Sequence, residues 1–282
     1  MVVVDNVRGV VELTRPVNAV VAGILTFTGA FVAQGSNVIN SAEAVVIATI
    51  ITVLATAAGN AINDYFDIET DQVNNPDRPL PRGLVTPNTA FVFSIVLFVS
   101  AGALALTLPI IATAIAVLNI ILLAAYTEIF KGIPGVGNAV VAYLGGSTFL
   151  FGGAAVGDIA APGVLFVLAA LATFSREVIK DVEDIEGDQK ERITTLPLVI
   201  GEKHSLVISV VFLCLTVAIT PVPYLLGMFG VIYVLLVIPA NGAMLYAGYL
   251  SFNDPTAGQS LLKYGMFLTA AAFIVGRTTV IL

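Results

Sequence analysis

The stretch Asn60–Asp71, NAINDYFDIETD, decides how the rest of the chain is read. It closes Ala44–Ile62, nineteen consecutive residues without a formal charge, and then delivers Asp64, Asp67, Glu69 and Asp71 within eight positions. On a helix advancing about 100° per residue, Asn60, Asp64, Asp67 and Asp71 fall within a sector of about 60°. Asn63 lies just outside that sector and Glu69 roughly opposite it. Carboxylates gathered on one helical stripe repel each other unless positive charge sits among them. A helix long and apolar enough to cross a bilayer thus ends in an acidic stripe whose compensating charge must come from elsewhere.

Composition says what kind of molecule carries this stretch. Of 282 residues, 58% are hydrophobic and 11% charged, and the mean hydropathy is +0.99. Soluble domains carry about 25% charged residues, so the chain reads as an all-α polytopic membrane protein, with too little polar material to cover a soluble core. The formal net charge of -7 makes neither nucleic acid nor an anionic membrane surface a partner. One cysteine, Cys214, and one histidine, His204, rule against a disulfide framework, a zinc site or a thiolate–imidazole pair. Cys214, in an apolar run, reads as a small packing residue. The first apolar run reads as part of the mature chain rather than as a cleaved leader.

Apolar spans of about 20 residues are the unit to count. The first covers about Val17–Ala33 after Arg15-Pro16, and the second about Ala42–Asp64. The uncharged residues Asn88–Thr127 divide at Pro109, Gly132–Gly157 and Ile159–Ser175 follow, Ser205–Asn253 breaks at Pro221-Val222-Pro223, and Leu261–Leu282 is last. This gives a bundle of nine transmembrane helices in one domain, residues 1–282, with Pro239 and Gly242 able to kink or divide the eighth. With the N-terminus in the cytosol, Arg8, Arg15, Arg78, Arg82, Lys131, Arg176, Lys180, Lys190, Arg192, Lys203 and Lys263 all lie in or beside cytosolic segments, and Arg277 alone lies toward the other face. That bias sets the topology and puts the chemistry on the cytosolic face of a multi-pass protein of the cell membrane.

A second acidic run, Arg176–Asp188 (REVIKDVEDIEGD), ends the sixth span. Glu177, Asp181, Asp184 and Asp188 share a helical face, with Gly187 leaving the final turn open. Acids at a helix end are also what solvated, headgroup-level charge looks like. Two features argue against that reading: the acids share a face, and acids at a C-terminal helix end oppose the macrodipole. Two such ends on one side of the membrane suit a diphosphate held through Mg²⁺, which takes one or two carboxylates plus waters and phosphate oxygens. Arg78, Arg82 and Lys131 are placed to meet the remaining phosphate oxygens. Metal and arginine together stabilise departing diphosphate.

The residues also resemble a known family. Asn63-Asp64-x-x-Asp67-x-x-x-Asp71 and Asp181-x-x-Asp184-x-x-x-Asp188 are similar to the two aspartate motifs of the UbiA superfamily of intramembrane prenyltransferases. Arg78-Pro79-Leu80 with Gly83, Gly135-x-Gly137-Asn138 and Arg15-Pro16-x-Asn18 resemble its connecting segments, so the likeness covers essentially the whole chain. One departure is the spacing of Tyr126 and Lys131, five apart where the family often has four, which puts their pairing on a helix in question. The resemblance implies Mg²⁺-dependent transfer of an isoprenoid from its diphosphate to a lipophilic acceptor. Asp64, Asp67, Asp71, Asp184 and Asp188 would be metal ligands, Asn63 would complete the first set, and Asp181 would coordinate or orient the acceptor. Tyr126 and Lys131 are candidate substrate contacts.

The runs DIETDQVNNPDRPLPRG and REVIKDVEDIEGD look most like the family's archaeal ether-lipid branch. That likeness implies a geranylgeranyl diphosphate donor and a geranylgeranylglyceryl phosphate acceptor, with Arg15, Arg176, Lys180 and Lys203 as candidates for the acceptor phosphate. An aromatic or quinone-precursor prenyltransferase would share every metal residue and differ in the acceptor pocket. A cation transporter would place acids toward the bilayer middle and basic flanks on both faces, unlike this chain. Nothing in the pattern fixes an oligomeric state. Without metal and substrate, the first acidic cluster and the loop Gln72–Pro87 are expected to be loosely ordered.

Overall fold

The computed structural model describes residues 2–191 and 193–280, so Arg192 of the topology argument lies outside the described residues. These residues form helices α1 (Val2–Leu13), α2 (Pro16–Gln34), α3 (Ala42–Phe66), α4 (Ile68–Asn74), α5 (Pro87–Ala105), α6 (Ile110–Ala125) and α7 (Val136–Ala155). Continuing along the chain are α8 (Ala160–Glu183), α9 (Ile185–Glu191), α10 (Leu196–Ile200), α11 (Glu202–Ile219), α12 (Val222–Leu225), α13 (Val231–Leu250) and α14 (Pro255–Thr278). There is no strand among the described residues. Local chemistry explains several of the starts. Thr86 and Asp254 accept hydrogen bonds from the backbone N–H of Thr89 and Ala257, each followed by a proline in the first helical position. The α13 helix runs unbroken through Pro239, and the Pro221-Val222-Pro223 break is the short helix α12.

Nine of these helices, α2, α3, α5, α6, α7, α8, α11, α13 and α14, have sixteen or more residues. Each touches the next in chain order, and α14 returns to α2, so the nine close into a ring. Within it, α7 also contacts α2 and α3, and α8 contacts α2 and α14. Among the described residues, seven segments are long and apolar enough to cross a membrane by length and composition. One of them, Pro16–Phe66, spans both α2 and α3 through a 3₁₀ turn at Gly35–Ser41. The α7 helix is not among the seven, because glycines and polar side chains dilute its hydropathy. Those glycines let backbones approach closely: a Cβ at Gly152 would collide with the Thr26 carbonyl on α2, and one at Gly29 with the Phe149 carbonyl on α7.

The outward faces of α5, α6 and α11 are lined with exposed apolar side chains such as Val99, Ile110 and Val211. Cys214 is exposed on α11 rather than packed inside. The buried stripe of that helix is Leu206, Ser209, Leu213 and Thr216, and in a helix apolar all round the hydropathy pattern does not tell inside from lipid.

Candidate active site

Both acidic runs bend at their middle aspartate. The α3 helix ends at Asp67, whose φ/ψ of -88°/12° starts α4, and α8 ends at Asp184 at -93°/4° before α9. The four-residue hydrogen bonding continues through each bend, Asp67 N to Asn63 O at 2.9 Å and Asp71 N to Asp67 O at 2.8 Å, then Asp184 N to Lys180 O and Asp188 N to Asp184 O, both 2.9 Å. The shared face expected for each run is therefore kept across the bend. Helix α9 runs through Gly187, which puts Asp188 inside it.

The first run is saturated with protein cations. Asp64, 2% exposed, is paired with Arg15 and lies 3.4 Å from Arg78 Nη1, which also donates to Asp71 Oδ2 at 2.5 Å. Lys131 Nζ donates to both oxygens of Asp67 at 2.8 and 2.9 Å. Arg15 reaches Asp64 from a left-handed backbone, φ 46°, the only non-glycine so placed among the described residues. That conformation costs of order 1–2 kcal/mol and is held by the structure around it. Asn63 accepts from the Thr127 hydroxyl at 2.5 Å, and Asn60 donates to the Thr14 carbonyl at 2.9 Å, tying α1 to α3. The loop after α4 is tied down rather than loose: Leu80 and Val85 are buried against Leu13 and Ala61, and Leu84 N donates to Pro79 O at 3.0 Å. Its anchor is Arg78 on the two buried aspartates.

The second run faces a cleft. Tyr126, Lys131, Glu177, Lys180, Asp181, Asp184 and Asp188 line it together, with Asn138 and Thr195. Asn138 Nδ2 donates to Asp181 Oδ2 at 2.8 Å, and Lys180 lies 3.5 Å from Asp184 at a half-exposed position. Tyr126 and Lys131 reach one cleft because Tyr126–Phe130 is a π-helical turn, with Lys131 N donating to Tyr126 O at 2.9 Å. In a π-turn the residue five positions on returns over the first, so the five-residue spacing does what four would do in an α-helix. Lys131, touching Asp67 and lining the cleft of the second run, joins the two clusters.

Other candidates fall at the margin. Arg82 is exposed and pairs with Glu12 at 3.1 Å, where Arg8 and Arg82 hold the Glu12 carboxyl below its ordinary value. Arg176 donates to Glu177 at 2.9 Å and to Gln259 at 3.1 Å, and Lys203 is exposed at the start of α11. Sequence reading alone gave no site role to Thr127 or Gln259. Both are reached through tertiary contacts that no local pattern announces. Asn138 was visible only as part of the Gly135–Asn138 connection.

The donor set suits a hard cation. It consists of carboxylates and amide oxygens at one end of the ring, and among the described residues no three acidic, histidine or cysteine side chains are drawn into a ready-made metal cage. Mg²⁺ fits such an arrangement, because it keeps waters and completes its shell with substrate phosphate oxygens.

The chain is 56% identical over 278 residues to the digeranylgeranylglyceryl phosphate synthase of Natronomonas pharaonis, covering 98% of this chain and 99% of that one. A solved structure concerned with digeranylgeranylglyceryl phosphate synthase in membranes superposes with a TM-score of 0.84 at 35% identity, covering 97% and 99% of the two chains. A UbiA homologue from Archaeoglobus fulgidus bound to DMAPP and Mg²⁺ shares the fold, with a TM-score of 0.69 at 17% identity over 93% of this chain and 99% of that one. Residues 22–271 match the UbiA prenyltransferase family, and with the two aspartate runs meeting at one end of the ring the chain belongs to that family.

Proposed function

We propose that the protein transfers a geranylgeranyl group from geranylgeranyl diphosphate to the glycerol hydroxyl of geranylgeranylglyceryl phosphate, making the ether bond of an archaeal membrane lipid. The synthases it resembles are named for that product. The observation that carries the reading is the meeting of two bent, aspartate-bearing helix ends through Lys131. All nine long helices cross the membrane as one domain, with the N-terminus and this end of the ring in the cytosol. The one-sided placement of basic residues supports that orientation.

Asp67, Asp71, Asp184 and Asp188 would hold Mg²⁺, and its charge would offset that of the departing diphosphate. Asp64, which the resemblance gives as a metal ligand, is sealed behind two arginines and is assigned here to fixing Arg15 and Arg78 at the edge of the site. Arg78 and Lys131 donate hydrogen bonds to the donor's phosphate oxygens as the allylic C–O bond breaks and its electron pair leaves with diphosphate. The glycerol hydroxyl then forms a C–O bond to the allylic carbon and gives up its proton. Asp181, oriented by Asn138, is placed to take that proton. An apolar chamber inside the ring, lined by Leu25, Phe149, Leu168, Met244 and Phe273 among others, offers shelter to a lipophilic chain.

The test is product analysis of purified protein with geranylgeranyl diphosphate and Mg²⁺, offered the glycerol phosphate ether beside an aromatic acid. Digeranylgeranylglyceryl phosphate is the expected product, and it disappears when the metal is chelated. Prenylation of the aromatic acid with none of the ether, or cation movement across liposomes without diphosphate release, would remove the reading.

A further inference from the structure

Among the described residues, Arg176 stands beside the cleft as an arginine that the mechanism above leaves without a task, and its surroundings are unusual. Its Nη1 donates to Glu177 Oε1 at 2.9 Å and its Nη2 to Gln259 Oε1 at 3.1 Å. Its Nε is buried and has no hydrogen-bond acceptor among the described residues. A buried donor without an acceptor costs about 1–3 kcal/mol and calls for an explanation. Nε and Nη2 form the edge of the guanidinium that takes two oxygens of a phosphate or carboxylate in parallel. Here one tooth of that fork meets a neutral amide oxygen and the other meets nothing.

The position of this fork matters as much as its state. The apolar chamber is lined by Ala169, Ala172 and Thr173 of α8, and by Met266 and Thr269 of α14. At about 100° per residue, Arg176 continues the stripe of Ala169, Ala172 and Thr173 one turn nearer the cleft. Gln259 likewise lies seven residues before Met266 on the chamber-facing stripe of α14. Arg176 and Gln259 therefore meet above the chamber, from two helices, at the level where the chamber gives way to the cleft. Glu177 lines that cleft and holds the third corner of the guanidinium. Other cations at this end, among the described residues, are already paired or exposed. Arg15, Arg78 and Lys131 are bound to Asp64, Asp71 and Asp67, while Lys180 and Lys203 are exposed.

We propose that Arg176, positioned by Gln259, reads the phosphate monoester of the acceptor lipid, so that a chain lying in the chamber presents its headgroup at the rim and its hydroxyl to the cleft. This rests on the reading of the acceptor given above and names the residue that selects it. On arrival of the phosphate, one oxygen accepts from Nε and a second from Nη2, and the Gln259 amide turns to donate its own N–H. Selection is then a matter of a fork that is satisfied only by a doubly accepting anion. An acceptor without phosphate leaves it as it stands.

The experiment compares transfer from geranylgeranyl diphosphate to the phosphorylated glycerol ether and to the same ether without phosphate, with full-length protein in lipid nanodiscs. In the wild-type protein kcat/KM should favour the phosphorylated acceptor by about a hundredfold or more, a typical penalty when a charged hydrogen-bonding group is left unmatched. Arg176→Met should collapse that ratio to within a fewfold of unity, through KM for the phosphorylated acceptor, with the donor KM unmoved. Gln259→Glu, which sets a carboxylate against the incoming phosphate, should lower the same ratio about tenfold and guards against a folding defect in the first variant. A preference retained in both variants overturns the proposal, as does a raised donor KM in Arg176→Met, which would move Arg176 to the donor diphosphate. Transfer to the aromatic acid alone by the wild-type protein overturns the function proposed above and this inference with it.

Discussion

The α3–α4 and α8–α9 regions are built alike and charged differently. Each is a long helix that bends at the middle aspartate, with φ near -90° and ψ near 10° at Asp67 and Asp184, and carries its acids on one face through the bend. In the first, Asp64 and Asp71 are almost wholly buried and three protein cations answer the acids. In the second, Asp184 is half exposed beside a single lysine, and Asp181 has a neutral amide as its partner. One half carries its counter-charge with it. The other has, among the described residues, more acid than base lining its cleft.

Two substitutions should expose that difference most sharply. Asp67→Ala and Asp184→Ala are each expected to lower turnover by about 10³-fold, the scale of losing a preorganised electrostatic contact in the transition state. Their structural consequences should diverge. Removing Asp67 frees the Lys131 ammonium, whereas removing Asp184 relieves crowding among acids. Measured with Mg²⁺ in the assay and thermal unfolding alongside, Asp184→Ala should unfold no earlier than wild type. Retained Mg²⁺-dependent activity in both variants would dissolve the metal assignment.

Stability gives the next contrast. Arg78→Met leaves two buried carboxylates facing each other without their shared guanidinium, and breaking a buried pair in this way costs about 3 kcal/mol. Lys180→Met breaks an exposed pair at 3.5 Å and should change stability by no more than about 0.5 kcal/mol. Unfolding midpoints in detergent would separate the two. Equal shifts would mean that the first region is no more preorganised than the second.

The sequence made some of this architecture visible and hid the rest for physical reasons. The long helices announce themselves because uncharged runs of bilayer length are separated by charge and proline, as at Pro109 and Pro221. The acidic faces follow from helical periodicity, which tolerates the bends at Asp67 and Asp184 because hydrogen bonding continues through them. The counter-charges were hidden. Arg15 meets Asp64 across 49 residues by way of a left-handed backbone, and Lys131 meets Asp67 across 64 through a π-turn, and neither geometry has a sequence period. The first cluster therefore looked as if it needed a metal before it could be ordered, when its own arginines and lysine already order it. The amphipathic helix α1 was not anticipated. Yet Leu13, at its end, is fully buried beneath the Arg78 loop.

Lys131 is where the comparison can be tested most finely, since it bonds an acid of the first region and lines the cleft of the second. Its ammonium bonds both oxygens of Asp67 while its side chain lines the cleft of Asp181, Asp184 and Asp188. If it hands its charge from Asp67 to the donor diphosphate when substrate and Mg²⁺ arrive, Lys131→Met should raise the KM for geranylgeranyl diphosphate about tenfold, equivalent to about 1.4 kcal/mol of binding. The effect should not add to that of Asp67→Asn. Residues sharing one charge network couple by about 0.5–3 kcal/mol, so the double variant should lose less than the product of the single losses. A tyrosine-to-phenylalanine change at Tyr126 should leave this coupling intact, because the π-turn that delivers Lys131 is held by backbone hydrogen bonds and not by the phenol. Strict additivity of Lys131→Met and Asp67→Asn would mean that the ion pair between them is a fixture of the first region only. The two halves would then be joined by substrate alone.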